Sequence, residues 1–104
     1  MKDIDYSNEF NKDLKLVRKY PTYNEERLKN YIEALQNNEQ LPKNAHNHPL
    51  SKSSPKKYKG LWDFHIAPDI CVLYENNKDS IVLIRIGKHN NLGLTEDFTK
   101  INLL

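Results

Sequence analysis

The rhythm of apolar and polar positions changes several times along the chain. From Lys2 to Tyr6 charged and apolar side chains alternate, with Ile4 and Tyr6 on one face, which is the period of a short strand. Phe10, Leu14 and Val17 then recur at helical spacing. Ser7 stands before them as an N-cap, Glu9 sits in the first turn where the helix dipole favours an acid, and Pro21 closes the segment. A second helix begins at Asn24 with Glu25 and Glu26 in its first turn. Leu28, Tyr31, Ile32 and Leu35 fall on one face, and Asn37-Asn38 ends it. The short connection between the two segments predicts an antiparallel helical hairpin over residues 7–38. Residues 40–59 lose periodicity and read as loop, with Pro42, Pro49, Pro55 and the run Ser51-Lys52-Ser53-Ser54. After Gly60, Leu61 to Ile66 alternates until Pro68 interrupts it. Ile70 to Tyr74 is β-branched and apolar, residues 76–79 form a turn, and Ile81 to Ile86 is the most strand-like stretch of the chain. Thr95 caps a short terminal helix through Phe98 and Ile101. The order strand, two helices, three strands predicts an α+β fold, an antiparallel meander with the helices on one sheet face.

Composition narrows the function. The chain has 104 residues, which predicts one domain with one modest core. Its longest aliphatic run, Ile81 to Ile84, is far too short for a membrane span. Its start carries no apolar stretch resembling a signal peptide, and its one cysteine, Cys71, has no internal disulfide partner. A reducing cytoplasm is the expected compartment. Net charge is only +2, but it is unevenly spread. Between Glu39 and Asp63 there is no acid, while Lys43, Lys52, Lys56, Lys57 and Lys59 lie there. The basic charge is therefore concentrated in the middle third, and the rest of the chain is slightly acidic.

Candidate chemistry collects around this segment. His48 precedes Pro49 at the entry to the basic loop, and His65 lies two residues after Asp63 in a strand. Asp69 opens the next strand, and His89 follows the last one in Gly87-Lys88-His89. Imidazoles and carboxylates exchange protons near neutral pH without extreme tuning. RNA strand cleavage needs a base for the 2′-OH, an acid for the 5′-oxygen and a cation for the phosphorane, which Arg85 and the lysines can supply. A metal site built from His48, His65, Asp69 and His89 is the chemical rival, but no pair has a compact ligand spacing such as HExxH. His46 has no partner pattern and reads as merely exposed. Cys71 reads as an inert core residue, and Trp62 and the tyrosines as core and rim.

These pieces, taken in order, resemble the YafQ-type toxins of the RelE/ParE superfamily from bacterial type II toxin–antitoxin pairs. The resemblance rests on the strand and helical hairpin, His48-Pro49-Leu50, Lys59-Gly60, and the segment Asp63-Phe64-His65-Ile66-Ala67-Pro68-Asp69. Val72-Leu73-Tyr74 and Arg85-Ile86-Gly87-Lys88-His89 complete it. The resemblance implies a metal-independent endoribonuclease that enters the ribosomal A site and cuts mRNA by 2′-OH attack. It also implies a cognate antitoxin, a toxin–antitoxin complex on operator DNA, and no cofactor. His48, Asp63, His65, Asp69 and His89 match the family's active-site positions. Arg85 matches a basic residue near the scissile phosphate, and Lys52, Lys56, Lys57, Lys59 and Lys88 are the further candidates for phosphate contact. On this reading His89 is the general acid and His48 the general base, with Asp69 the alternative base; Asp63 and His65 orient the pair or the substrate. The chain departs from the family in three places. The segment between Leu50 and Gly60 is longer, Trp62 stands where relatives often carry arginine, and the chain runs on after His89 where relatives end near an aromatic. Two other functions stay open at this stage: a ParE-like DNA gyrase inhibitor, which needs no catalytic histidines, and an inactive antitoxin-binding module.

Overall fold

The computed structural model describes residues 1–50 and 56–92. The proposed terminal helix, Ser51-Lys52-Ser53-Ser54 and Pro55 lie outside the described residues. Strand β1 (Asp3–Tyr6) leads into helices α1 (Asn8–Val17) and α2 (Glu25–Gln36). Strand β2 (His48–Pro49) then precedes the long strands β3 (Trp62–Ala67), β4 (Ile70–Asn76) and β5 (Ser80–Gly87), and the single-turn helix α3 (His89–Leu92) follows. The expected α+β class and the β3-β4-β5 meander are both present.

Local signals place both long helices. Ser7 accepts from the Phe10 amide at 2.9 Å and also donates to the Ile84 carbonyl at 2.6 Å, so one hydroxyl starts α1 and ties it to β5. Asn24 caps α2 through the Arg27 amide at 2.9 Å. The apolar stripes of the two helices, Phe10 and Val17 with Leu28, Ile32 and Leu35, close one face of the sheet over Phe64, Val72, Tyr74, Leu83 and Ile86. Tyr74 donates to Asn47 Oδ1 at 2.6 Å, and burial pushes its phenol up to about 12.

The sheet is larger than the meander. It has five strands in the order β1-β5-β4-β3-β2, with β1 parallel to β5 and β2 antiparallel to β3. The helical hairpin is the crossover that lets β1 run parallel to β5. The basic segment, expected as plain loop, holds β2 and two 3-10 turns, Lys43–Ala45 and Lys56–Tyr58. A strand this short has no periodicity to read, so only its pairing with Trp62 and Asp63 reveals it. Gly60 then takes a φ of 85°, a left-handed turn that glycine adopts without strain, and delivers the chain into β3.

A register shift in β5 decides which of its side chains share a face. In β5 the pairing steps from Leu73↔Arg85 to Tyr74↔Leu83, leaving Ile84 as the extra residue. Simple alternation would put Arg85 on the face of Leu83, under the helices. The bulge instead turns Arg85 to the opposite face, beside Leu73. That second face carries a smaller cluster of Tyr58, Leu61, Cys71, Leu73 and Leu92.

Candidate active site

Residues directly opposite each other in an antiparallel ladder point to the same face. His48, Asp63, Leu73 and Arg85 are successive partners from β2 to β5, so they form one row across the face opposite α1 and α2. His65, Cys71 and Gly87 form the next row. Beyond Gly87 the chain turns into α3, which Leu92 anchors in the small cluster, and this brings His89 back over both rows.

Three imidazoles thereby converge on one carboxylate. The Nε2 atoms of His48, His65 and His89 lie 3.7, 3.7 and 3.8 Å from Asp63 Oδ2. These separations are longer than direct hydrogen bonds, yet short enough for strong attraction to any imidazolium. Asp63 is 2% exposed and is the one buried charged side chain among the described residues. Burial alone pushes its carboxyl up. The His65 and His89 imidazoles outweigh that effect and hold it below the usual carboxylate range. Asp63 is therefore an anion at neutral pH, embedded beneath a ring of histidines. Exposure rises from that base outward, through His65 at 18% and His89 at 27% to His48 at 45%.

The rings are also fixed relative to one another. His65 and His89 meet edge to face with centroids 5.0 Å apart. His48 Nδ1 lies 2.7 Å from the Pro49 carbonyl. A carbonyl only accepts, so Nδ1 carries the hydrogen and the lone pair of the neutral ring is on Nε2, the nitrogen beside Asp63.

Other expected site residues are placed differently. Asp69 occupies the turn between β3 and β4, at the end of the sheet where His65 and Gly87 pair with Cys71. Its carboxylate accepts from Thr22 Oγ1 at 2.7 Å. Arg85 reaches the site face but is held by Asp13 of α1 through Nε to Oδ2 at 2.6 Å and Nη2 to Oδ1 at 3.0 Å. Its Nη1 donates to the Tyr58 hydroxyl at 3.3 Å. Asp13 also accepts the Ile86 amide at 3.1 Å. That amide needs a side-chain partner because β1 pairs only as far as Leu83. Lys56, Lys57 and Lys59 are exposed around the buried Tyr58, which pins their turn to the site face. Lys88 is exposed with Nζ 4.7 Å from the Tyr20 ring centroid, and Lys52 lies outside the described residues. Cys71 is buried, and burial pushes its thiol up, so it is inert as expected.

Asp13 and Tyr58 escape a reading of the sequence, since neither sits in a motif and each gains its partner from a distant segment. His46 does have a partner: its ring packs edge to face on His65 at 6.1 Å. As a donor set, Asp63, His65 and His89 present atoms all within 4.8 Å of one another, so they could also hold a transition-metal ion. The metal rival of the sequence differs in using Asp69, which lies in the turn and not in this set.

The fold thus sets a buried carboxylate ringed by imidazoles, groups able to exchange protons near neutral pH, on one face of a small mixed sheet whose other face is closed by a helical hairpin. Residues 2–94 match the family described as "Bacterial toxin of type II toxin-antitoxin system, YafQ". The chain belongs to this YafQ toxin family. The mRNA interferase toxin YafQ of Escherichia coli strain B / BL21-DE3 is 33% identical over 90 residues, spanning 85% of this chain and 91% of that protein. The E. coli DinJ-YafQ complex contains a chain that superposes with a TM-score of 0.74 at 34% identity, covering 88% of this chain and 98% of that one. A metal-bound toxin from Helicobacter pylori superposes with a TM-score of 0.75 at 26% identity, covering 88% and 99%.

Proposed function

We propose that this protein is an mRNA interferase, a toxin that cuts translated messages in the ribosomal A site and is neutralised by a cognate antitoxin. The observation that carries the reading is the convergence of His48, His65 and His89 on the buried Asp63 carboxylate. Family membership supports the toxin role. The E. coli DinJ-YafQ complex supports a protein antitoxin, which would bind this chain and, with it, operator DNA.

The chemistry is general acid–base catalysis without a metal. His48 Nε2 takes the proton of the ribose 2′-OH, and the freed oxygen attacks the adjacent phosphorus. The P–O5′ bond breaks as a 2′,3′-cyclic phosphate forms, and His89 in its protonated form delivers a proton to the departing 5′-oxygen. Asp63 stabilises each imidazolium during the cycle and orients the rings, as the buried acid of a triad does. His65 holds His89 edge-on. Asp69, already engaged by Thr22, orients substrate at the turn and is the alternative base. The exposed Lys56, Lys57, Lys59 and Lys88, with Lys52, steady the phosphates. Arg85, its charge balanced by Asp13, meets a phosphate through the guanidinium edge that Asp13 leaves to Tyr58, as a fixed donor and not as a mobile cation.

The test is cleavage mapping on translating ribosomes. The wild-type protein should cut message only where it is being translated, and His89→Ala should lower the rate about a hundredfold or more. Intact message with inhibited DNA supercoiling would replace this reading with a gyrase inhibitor. Near-normal cutting by His89→Ala would remove His89 from the mechanism.

A further inference from the structure

The active site opens sideways into a second cavity that the proton-transfer chemistry does not use. A cleft of about 410 Å³ runs along the outer edge of β3, lined by Arg27, Tyr31, Asn44, His46, His65 and Pro68 among others. Among the described residues β2 pairs with β3 only at Trp62 and Asp63, and no strand covers the outer edge of β3 from His65 onward. The edge carbonyl left at Ile66 accepts from Arg27 Nη1 at 2.9 Å, which brings the guanidinium of α2 to the cleft. On the other side, the 3-10 turn Lys43–Ala45 ends at His46 with a φ of 49°, a left-handed conformation that a residue with a Cβ seldom adopts. This turn presents the exposed His46 ring edge to face with His65. His65 thus belongs to both sites, with Asp63 and His89 on one side and His46 and Tyr31 on the other.

The lining suits a flat, neutral heterocycle. Tyr31 and His46 contribute aromatic rings to the lining, the Arg27 guanidinium a planar cation, and the Asn44 amide both a donor and an acceptor. Single-stranded RNA is recognised through this combination: unstacked bases lie on aromatic, imidazole or guanidinium planes and are hydrogen-bonded at their edges. A phosphate would call instead for converging cations, and the only charged side chain among the six named is Arg27, already bonded to a carbonyl.

We infer that this cleft is a nucleobase subsite, in which His46 and Tyr31 stack a base next to the scissile phosphate and Asn44 reads its edge. The inference rests on the ribonuclease reading above. A base seated there, one wall of which is His65, fixes the sugar–phosphate backbone of the same nucleotide against His48 and His89. His46 is then a base-recognition residue that contributes to binding and to the choice of cutting site, and not to proton transfer.

The experiment uses ribosomes translating a reporter message, with cut sites mapped and rates measured at varied programmed-ribosome concentration for wild type, His46→Ala, His46→Phe and Asn44→Ala. His46→Ala should raise KM about tenfold, the size expected for one lost stacking partner, with kcat within about threefold of wild type. His46→Phe keeps a ring and should restore KM. Asn44→Ala should broaden the range of bases found beside the cut. Unchanged KM and unchanged cut sites in His46→Ala, or failure of His46→Phe to restore KM, would overturn the subsite. A kcat collapse at constant KM would overturn it too, by making His46 a positioning residue for His65. Failure of the ribonuclease reading shows separately, as absence of cutting by the wild type.

Discussion

Asp63 does two things that conflict in a protein interior: it is buried and it stays charged. The neighbouring imidazoles resolve the conflict, because they hold the carboxyl below its usual range despite the burial that pushes it up. A folded-state value below the unfolded one stabilises the fold above the ordinary carboxylate range, and the contribution is lost as pH falls through the folded value. Asp63→Asn should therefore flatten the loss of stability below about pH 4, measured as thermal midpoint against pH beside wild type. The same substitution leaves no anion to balance an imidazolium. It should lower kcat for message cleavage at least about a hundredfold, read by single-turnover cleavage on programmed ribosomes. Unaltered turnover would leave Asp63 with a structural role only.

At the scale of elements, the decisive features are a bulge and a clamp. The extra residue Ile84 turns Arg85 onto the site face, and Asp13 of α1 then binds it at two points while accepting the Ile86 amide. One carboxylate thus joins α1 to β5 just past the end of the β1 pairing. Hydrogen bonds to charged groups are worth about 1.5–3 kcal/mol each when part-buried, and their loss here is shared. Asp13→Ala should cost about 2–3 kcal/mol in urea unfolding, and a cycle with Arg85→Ala should show strong non-additivity. Independent, additive losses would mean that the two side chains do not act as a unit. The helical hairpin was legible because caps and apolar stripes are local signals: Ser7, Asn24 and the Leu28–Leu35 face all fall where expected. The bulge was not legible, because in β5 the run Ile81 to Ile84 is apolar on both faces and carries no alternation to interrupt.

Across the whole molecule, the two sheet faces have divided their work. Helices α1 and α2 close one face into the main core, and the other face carries the carboxylate, the imidazoles and the turn of Lys56, Lys57 and Lys59 around Tyr58. Tyr58 joins the small cluster on that second face, so the basic turn is tied to the site and not splayed into solvent. Reversing Lys56, Lys57 and Lys59 to glutamate should weaken ribosome binding and make its log–log salt dependence shallower by about 2, at roughly 0.7 per phosphate contact on single strands. An unchanged slope would make the segment a solvated loop. Among the described residues no helix is long and apolar enough to cross a membrane. Because the proposed chemistry runs on protons alone, protein stripped with EDTA and freed of the chelator before it meets Mg2+-containing ribosomes should cleave as untreated protein does. Added zinc should lower cleavage by occupying Asp63, His65 and His89. Loss on chelation, restored by metal, would reverse that assignment.

The elements and the types of chemistry available follow from local patterns along the chain. Capping residues, helical stripes and β-branched runs act over a few positions, and His48, Asp63, His65, Asp69 and His89 stood out as proton-transfer groups beside a basic segment. Tertiary structure decided which of these meet. Asp63 became the centre of three imidazoles through strand register and the return of α3. Arg85 was turned to the site face and bound to Asp13, and His46, which has no local signal, gained a place beside His65. These outcomes depend on pairing between segments dozens of residues apart, where a shift of one position exchanges the faces of a strand.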